Sequence, residues 1–336
     1  MIDDQEFCKE VDVFDLHIES LSFYRTIGYH PARRHRPGPL RRFLFGHADL
    51  PRLKDVGFSG ATWSLTANPF RRSASRERRS KELFREVKRV LTLNPEASCQ
   101  VVSDHASYQE AKAQGKHGAF LGIQGANFLP SELEKYSDFA HDLLRVTLVH
   151  MNQNSLAQSS APHWHATQGL SQLGRETIAT LNQLRIGVDL AHMNEAGFWD
   201  AVDEQKPGIP FMVSHTGMNA VHPHWRNIDD EQARAVAQSG GVIGIIYHSL
   251  YLGDGLWRGK LDTLLAHIRH AVQVCGIDHV GLGSDWDGLI CTPMDMPTCS
   301  EFPRLAGRLR KEFGDTNARK ILGENALRMI RDLKGR

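Results

Sequence analysis

Short apolar runs recur along this chain, and most of them end in a polar or ionisable residue. They are Val11–Glu19, Gly57–Leu65, Ala119–Gln124, Leu144–His150, Ile186–His192, Ile209–His215, Gly241–His248 and His279–Asp285. Each is brief for a helix and rich in branched side chains, so each predicts a buried strand. Amphipathic stretches lie between most of them. Asn194 to Glu204 is the clearest, and the breaker Pro207-Gly208 follows it. Residues 186–215 therefore read as a strand–helix–strand unit. Eight strands in one unbroken alternation predict an α/β fold, a (β/α)8 TIM barrel with inserted βα loops. A doubly wound open sheet is the alternative, but its usual Gly-rich phosphate loop after the first strand is missing. No linker or repeat divides the chain, so residues 1–336 read as a single barrel with its core at about 11–330.

Composition narrows the class. The length of 336 residues suits a barrel with insertions, and 41% hydrophobic with 24% charged residues describes a soluble globular protein. A net charge of +1 offers no global field for nucleic acid or membrane. The five cysteines are odd in number and form no Cys-x-x-Cys pair, which points to a reducing cytoplasm. The N-terminus lacks the apolar core of a signal peptide, and no stretch approaches the roughly 20 apolar residues of a membrane span. Two basic segments, 31–42 and 71–79, read as solvated βα loops near the barrel mouth, because no aromatic residues interleave their charges. They would favour acidic substrates.

The polar strand ends carry the chemistry. In a barrel, the carboxyl ends of the strands form the active face. His192 and His215 end consecutive strands. His17 and Glu19 are two apart and project from one strand face. Gln124, His150, the Tyr247-His248 pair and Asp285 end others. Asp15 lies deeper and reads as a buried carboxylate satisfied by backbone, while Asp287 reads as shaping the following turn. Alone, either strand-end histidine reads best as a buried side chain capping its strand. Together, His17, Glu19, His192, His215 and Asp285 form a nitrogen and oxygen ligand set without thiolate, which suits zinc or a similar divalent ion. Asp285 could accept a proton from water bound to that ion.

At this point the chain resembles the membrane (renal) dipeptidase family of metallopeptidases, within the amidohydrolase-like barrels. Leu53–Ser64, Leu144–Asn152, Gly169–Gly174, Val188–His192, Val213–His215, Arg226–Asp230, Val280–Gly288 and Ile321–Arg328 carry the resemblance. It implies hydrolysis of dipeptides, often with a D-residue at the C-terminal position, by two zinc ions. By position, His17 and Glu19 would hold the first metal, and His192 and His215 the second. Asp285 would be the general acid/base, and His150 would polarise the substrate carbonyl or the oxyanion. Arg226 would pair with the substrate carboxylate, and Tyr251 would contact substrate.

Two positions depart from the family's pattern. Its first motif is His-x-Asp, here His17-Ile18-Glu19, and its bridging Glu is here Gln124. A neutral carboxamide removes charge from between two dications, and no Lys ends a strand to replace it. The expectation is a metal-dependent hydrolase holding one Zn2+, with the second weak or absent. Gln124→Glu should then raise the metal content, and no rise would sink the charge argument. The alternatives are a hydrolase of another small amide and a metal-depleted, non-catalytic barrel. A homodimer, common among barrels, is possible.

Overall fold

Nine strands form among the described residues of the computed structural model, which are 3–36, 38, 43–66, 76–92, 98–126, 129, 133–162 and 167–335. They are β1 (Phe14–Ile18), β2 (Gly60–Thr66), β3 (Cys99–Val101), β4 (His117–Gln124), β5 (Leu143–Thr147), β6 (Gly187–Asp189), β7 (Val213–Thr216), β8 (Ile243–Ile245) and β9 (Val280–Leu282). All pairs are parallel, and eight strands run in the order β6-β5-β4-β2-β1-β9-β8-β7. A parallel bridge between Asp189 and Met212 joins the two ends of that path. This is the predicted TIM barrel.

The ninth strand corrects the count of eight. β3 pairs only with the first residues of β4, Cys99 opposite His117, on the edge where β5 takes over from Leu121 onward. Three half-buried residues make no periodic pattern, so this strand left no signal. Except for β4, which begins two residues before its run, the other strands are shorter than their apolar runs. The run from Ile209 joins the sheet only from Met212, which bridges to Asp189, and Pro210 before it has no N–H to give a ladder.

The crossover after β6 is the predicted helix, at Glu195–Glu204. The Asn194 side chain accepts from the Gly197 N–H at 3.0 Å, a cap worth about 1 kcal/mol. The core has two layers. One packs strands against the surrounding helices. The second joins Phe14, Leu16, Phe120, Leu144, Met212 and Val242 to Leu327, Ile330 and Leu333 of helix Asn325–Lys334. These strand residues lie towards the amino ends, so the polar carboxyl ends stand over an apolar floor.

Two local expectations need revision. Residues 76–79 open the helix Arg76–Thr92 rather than a loop, while 71–75 lie outside the described residues. In the first basic segment, Pro31 and Ala32 are buried and Arg34 pairs with Asp55 at 2.6 Å, while residues 37 and 39–42 are again outside. Asp287 lies in the turn after β9 with a left-handed backbone, φ 67°, but its side chain works elsewhere. Its carboxylate accepts from the His47 N–H at 2.7 Å and from the Ser20 hydroxyl, tying the β1–β2 connection to the end of β9. No helix among the described residues is long and apolar enough to cross a membrane.

Candidate functional site

The strand ends converge as expected, but most site residues stand just past the ladder. His150, His192, His248 and Asp285 each lie three residues beyond the ends of β5, β6, β8 and β9. Glu19 follows β1 directly, Gln124 ends β4, and His215 lies inside β7. His192 and Asp285 have left-handed backbones, with φ of 66° and 59°. Such conformations are uncommon outside glycine and cluster at functional sites.

The predicted ligands meet. His17 Nε2 lies 3.2 Å from Glu19 Oε1 and 3.5 Å from Asp285 Oδ1. His17 and His215 rings stand 3.7 Å apart, and His192 Nε2 lies 3.0 Å from His215 Nε2. His17, His215 and Asp285 offer ligand atoms within 4.8 Å of one another. Gln124 is in the same cluster. A carboxylate only accepts, so the Gln124 amide nitrogen faces Glu19 Oε1, at 2.8 Å, and lies 3.2 Å from His150 Nε2. Its carbonyl oxygen is left without a partner. Arg226 donates through Nη2 to the His215 carbonyl at 2.7 Å, and its Nε has no protein partner. Tyr251 is more peripheral, with its ring 4.3 Å from that of His248 and 4.6 Å from that of His224. A cavity of about 290 Å³ borders His192, Arg226, Trp225 and Asn194.

Asp15 meets the expectation of a backbone-satisfied carboxylate only in part: Oδ1 accepts from the N–H groups of His17 and Ser284 at 2.9 and 3.0 Å, while Oδ2 is buried without a partner. A layer below the ligands was missed. Arg145 of β5 is fully buried and reaches His17 Nδ1 at 2.6 Å, Ser64 Oγ at 2.9 Å and Asp189 Oδ2 at 2.9 Å. Ser214 donates to Asp189 at 2.7 Å and lies 2.8 Å from His215 Nδ1. The signal was present: one cation and one anion interrupt two adjacent apolar strands, and Thr147 pairs in register with Asp189. Gly122 of β4 leaves room for this arrangement, because a Cβ there would stand 3.2 Å from the Arg145 guanidinium carbon.

Burial dominates the electrostatics. It holds His17, His192 and His215 well below the usual histidine range, and His150 at about 4. Burial raises Asp285 well above the usual carboxylate range, with the Glu19 charge adding to the effect. Burial also raises Glu19, against hydrogen bonds from Thr66 and Ser22. The site therefore pairs imidazoles that resist protonation with carboxyls, Asp285 and Glu19, whose affinity for a proton is raised by burial.

The residues of one half fit a metal. The Ser214 hydroxyl gives its proton to Asp189, so His215 Nδ1 must carry the hydrogen facing Ser214, which frees the Nε2 lone pair. Two nitrogens on one four-coordinate zinc stand about 3.3 Å apart, given bonds of about 2.0–2.1 Å. The 3.0 Å between His192 and His215 Nε2 is close to that separation.

The same burial predicts acid sensitivity. His117, His248 and His267, each held at about 4, join His17, His150, His192 and His215 in resisting protonation when folded. Between about pH 4 and the unfolded value of 6.5, the unfolded chain binds more protons, so stability falls as pH drops through this range. Asp15, raised to about 6, acts the other way with Glu19 and Asp285, but the histidines outnumber them. Denaturant midpoints of the metal-free protein should fall from pH 6.5 to pH 4.5; an unchanged or rising midpoint would contradict this.

Comparison with known proteins agrees with this geometry. Residues 3–335 match the family described as membrane dipeptidase, peptidase family M19. The dipeptidase tcpJ of Claviceps purpurea is 26% identical over 301 residues, which cover 87% of this chain and 70% of that protein. The probable dipeptidase PvdM from Pseudomonas aeruginosa superposes with a TM-score of 0.85 at 19% identity, covering 99% of this chain and 98% of that one. A metallopeptidase from Rhodobacter sphaeroides, solved with a phosphinate mimic of the dipeptide L-Ala-D-Ala, superposes with a TM-score of 0.82 at 23% identity, over 96% of this chain and 99% of that one. The chain belongs to the membrane dipeptidase family, a family of metallo-dipeptidases, and is a hydrolase.

Proposed function

We propose that this chain acts as a single hydrolase barrel over residues 1–336, cleaving dipeptides or dipeptide-like amides with one zinc ion held by His192 and His215. The observation that carries the reading is the meeting of three things at one point: the metal-ready Nε2 of His215, the buried carboxylate of Asp285, made more basic than an ordinary aspartate, and Arg226 anchored on the His215 carbonyl. The ion, when bound, supplies Lewis acidity and makes water ionisable near neutral pH.

The protein groups supply the rest. Asp285 takes the proton given up by the attacking water and hands it to the leaving amine. Neutral His150 offers a ring N–H to the substrate carbonyl oxygen and to the oxyanion that follows. Arg226 keeps donors free for the substrate carboxylate, which its planar fork matches. Tyr251 packs beside that carboxylate site. Tolerance of a D-residue on the C-terminal side is carried over from the ligand of the Rhodobacter sphaeroides protein.

The test uses purified chain, stripped by chelator and reloaded with zinc, on L,L- and L,D-dipeptides and on their C-terminal amides. Turnover should vanish on chelation and return with zinc. The amides should lose roughly 10–100-fold in kcat/KM, the worth of one charged hydrogen bond, and Arg226→Ala should erase that difference. No hydrolysis of any dipeptide by the zinc-loaded protein would overturn the reading.

A further inference from the structure

Arg145 takes no part in the hydrolysis proposed above, yet it is fully buried beside His17. We infer that Arg145 and Gln124 disable the His17–Glu19 half of the site as a metal site, so that Arg145 supplies the positive charge there and this chain's centre holds one ion.

The argument rests on which nitrogen carries hydrogen. A guanidinium has only donors and keeps its charge in proteins. Its Nη2 lies 2.6 Å from His17 Nδ1, so Nδ1 must accept. A neutral imidazole then has its hydrogen on Nε2, and that nitrogen faces Glu19 Oε1 at 3.2 Å and Asp285 Oδ1 at 3.5 Å. This is a donor aimed at two carboxyls, not a lone pair aimed at a cation. For Nε2 to bind a metal, His17 would have to become an imidazolate or break from Arg145. Glu19 is engaged as well. Its Oε1 accepts from the Gln124 amide at 2.8 Å, Thr66 donates to the carboxylate at 2.6 Å, and Ser22 donates to Oε2 at 2.7 Å.

His215 is wired the opposite way by the same anion. Asp189 accepts from Arg145 on one side and from Ser214 on the other. The first link leaves His17 with hydrogen on Nε2, and the second leaves His215 with hydrogen on Nδ1. Asp189 and Arg145 thus sort two neighbouring histidines into a positioning residue and a ligand. The missing charge at Gln124 is one obstacle to a second metal, and Arg145 is another, so Gln124→Glu alone does not restore it.

The one-metal count rests on the function proposed above, while the tautomer of His17 does not. Long-range 15N–1H correlation spectra of histidine-labelled, metal-free protein should show the His17 hydrogen on Nε2 and that of His215 on Nδ1. Zinc titration should give about one equivalent for the native chain and for Gln124→Glu. It should give about two equivalents for the Gln124→Glu/Arg145→Gln double variant, whose new amide can donate to Asp189 and accept from His17 Nδ1. A His17 hydrogen on Nδ1, two equivalents in the native chain or in Gln124→Glu, or one equivalent in a folded double variant would each overturn the inference. A native chain that takes no zinc would overturn the proposed function instead and leave the spectra to decide this one. Should the double variant fail to fold, the native spectra decide alone.

Discussion

Asp285→Asn is expected to lower kcat for dipeptide hydrolysis by roughly 10²–10⁴-fold, the usual contribution of a positioned general acid/base. The substitution is close to isosteric, and asparagine shares with aspartate a tolerance for the left-handed backbone found here, φ 59°. The space around the carboxyl is also preserved. A Cβ on Gly288 would run into the Asp285 carboxylate, so this glycine keeps the turn clear for the side chain. What changes is the chemistry. Burial, reinforced by Glu19, makes the Asp285 carboxylate a stronger base than an ordinary aspartate, so it can take up and pass on a proton, and an amide cannot. The loss should therefore fall on kcat more than on KM. Circular dichroism and zinc content should match the native protein, because His192 and His215 are untouched. A kcat within about tenfold of native would assign the proton transfer elsewhere.

The barrel and its active face were legible because both depend on period and position. Short branched runs mark buried parallel strands whatever their tertiary partners, and the barrel puts every carboxyl end on one side. His17, Glu19, His192, His215 and Asp285 could therefore be brought together without coordinates. The offset of His150, His192 and Asp285 past the strand ends was not legible. It depends on where hydrogen bonding stops, which hydrophobic pattern does not record. β3 was lost for a similar reason, since three half-buried residues carry no period. Arg145 and Asp189 were lost for a different one. Each looks like an isolated polar interruption of an apolar run; register sets Arg145 opposite Gly187 and Thr147 opposite Asp189, and only the folded side chains show that Arg145 reaches across to Asp189. Sequence spacing could suggest that Gln124 weakens a second metal, but the hydrogen positions on His17 and His215 needed the partners of both rings.

Removing the Arg145 guanidinium should be the most destabilising single change in the site. In Arg145→Met, unfolding free energy should fall by about 3–5 kcal/mol, the cost of leaving one member of a buried ion pair uncompensated. Both side chains of the pair are fully buried, at 2.9 Å. Burial alone would raise Asp189, yet its carboxyl lies below the ordinary range because Arg145, Thr147 and Ser214 stabilise its charge. With the cation gone, the remaining donors still hold the carboxylate: the Thr147 and Ser214 hydroxyls and the N–H groups of Ser214 and Ala191. They keep the expected loss from exceeding that range. The penalty should also depend on pH. A carboxyl depressed by Arg145 in the native protein contributes stability above its unfolded value, and that contribution disappears as pH falls through the folded value. The difference between native and Arg145→Met should therefore be full near pH 7 and shrink below about pH 4. A second substitution separates the lost attraction from the stranded charge. In Arg145→Met/Asp189→Leu no buried charge is left behind, and much of the stability should return, since apolar replacement of a whole buried pair is often close to neutral. Ser214 would then lose its acceptor and turn freely, releasing His215 from its Nδ1–H tautomer. The double variant should be stable but bind zinc more weakly than native, by roughly 10–100-fold, as expected when a ligand's hydrogen-bond partner is removed. If it recovered stability and zinc affinity together, Asp189 would be only a counter-ion for Arg145, and the orientation of His215 would have to come from the β7 backbone alone.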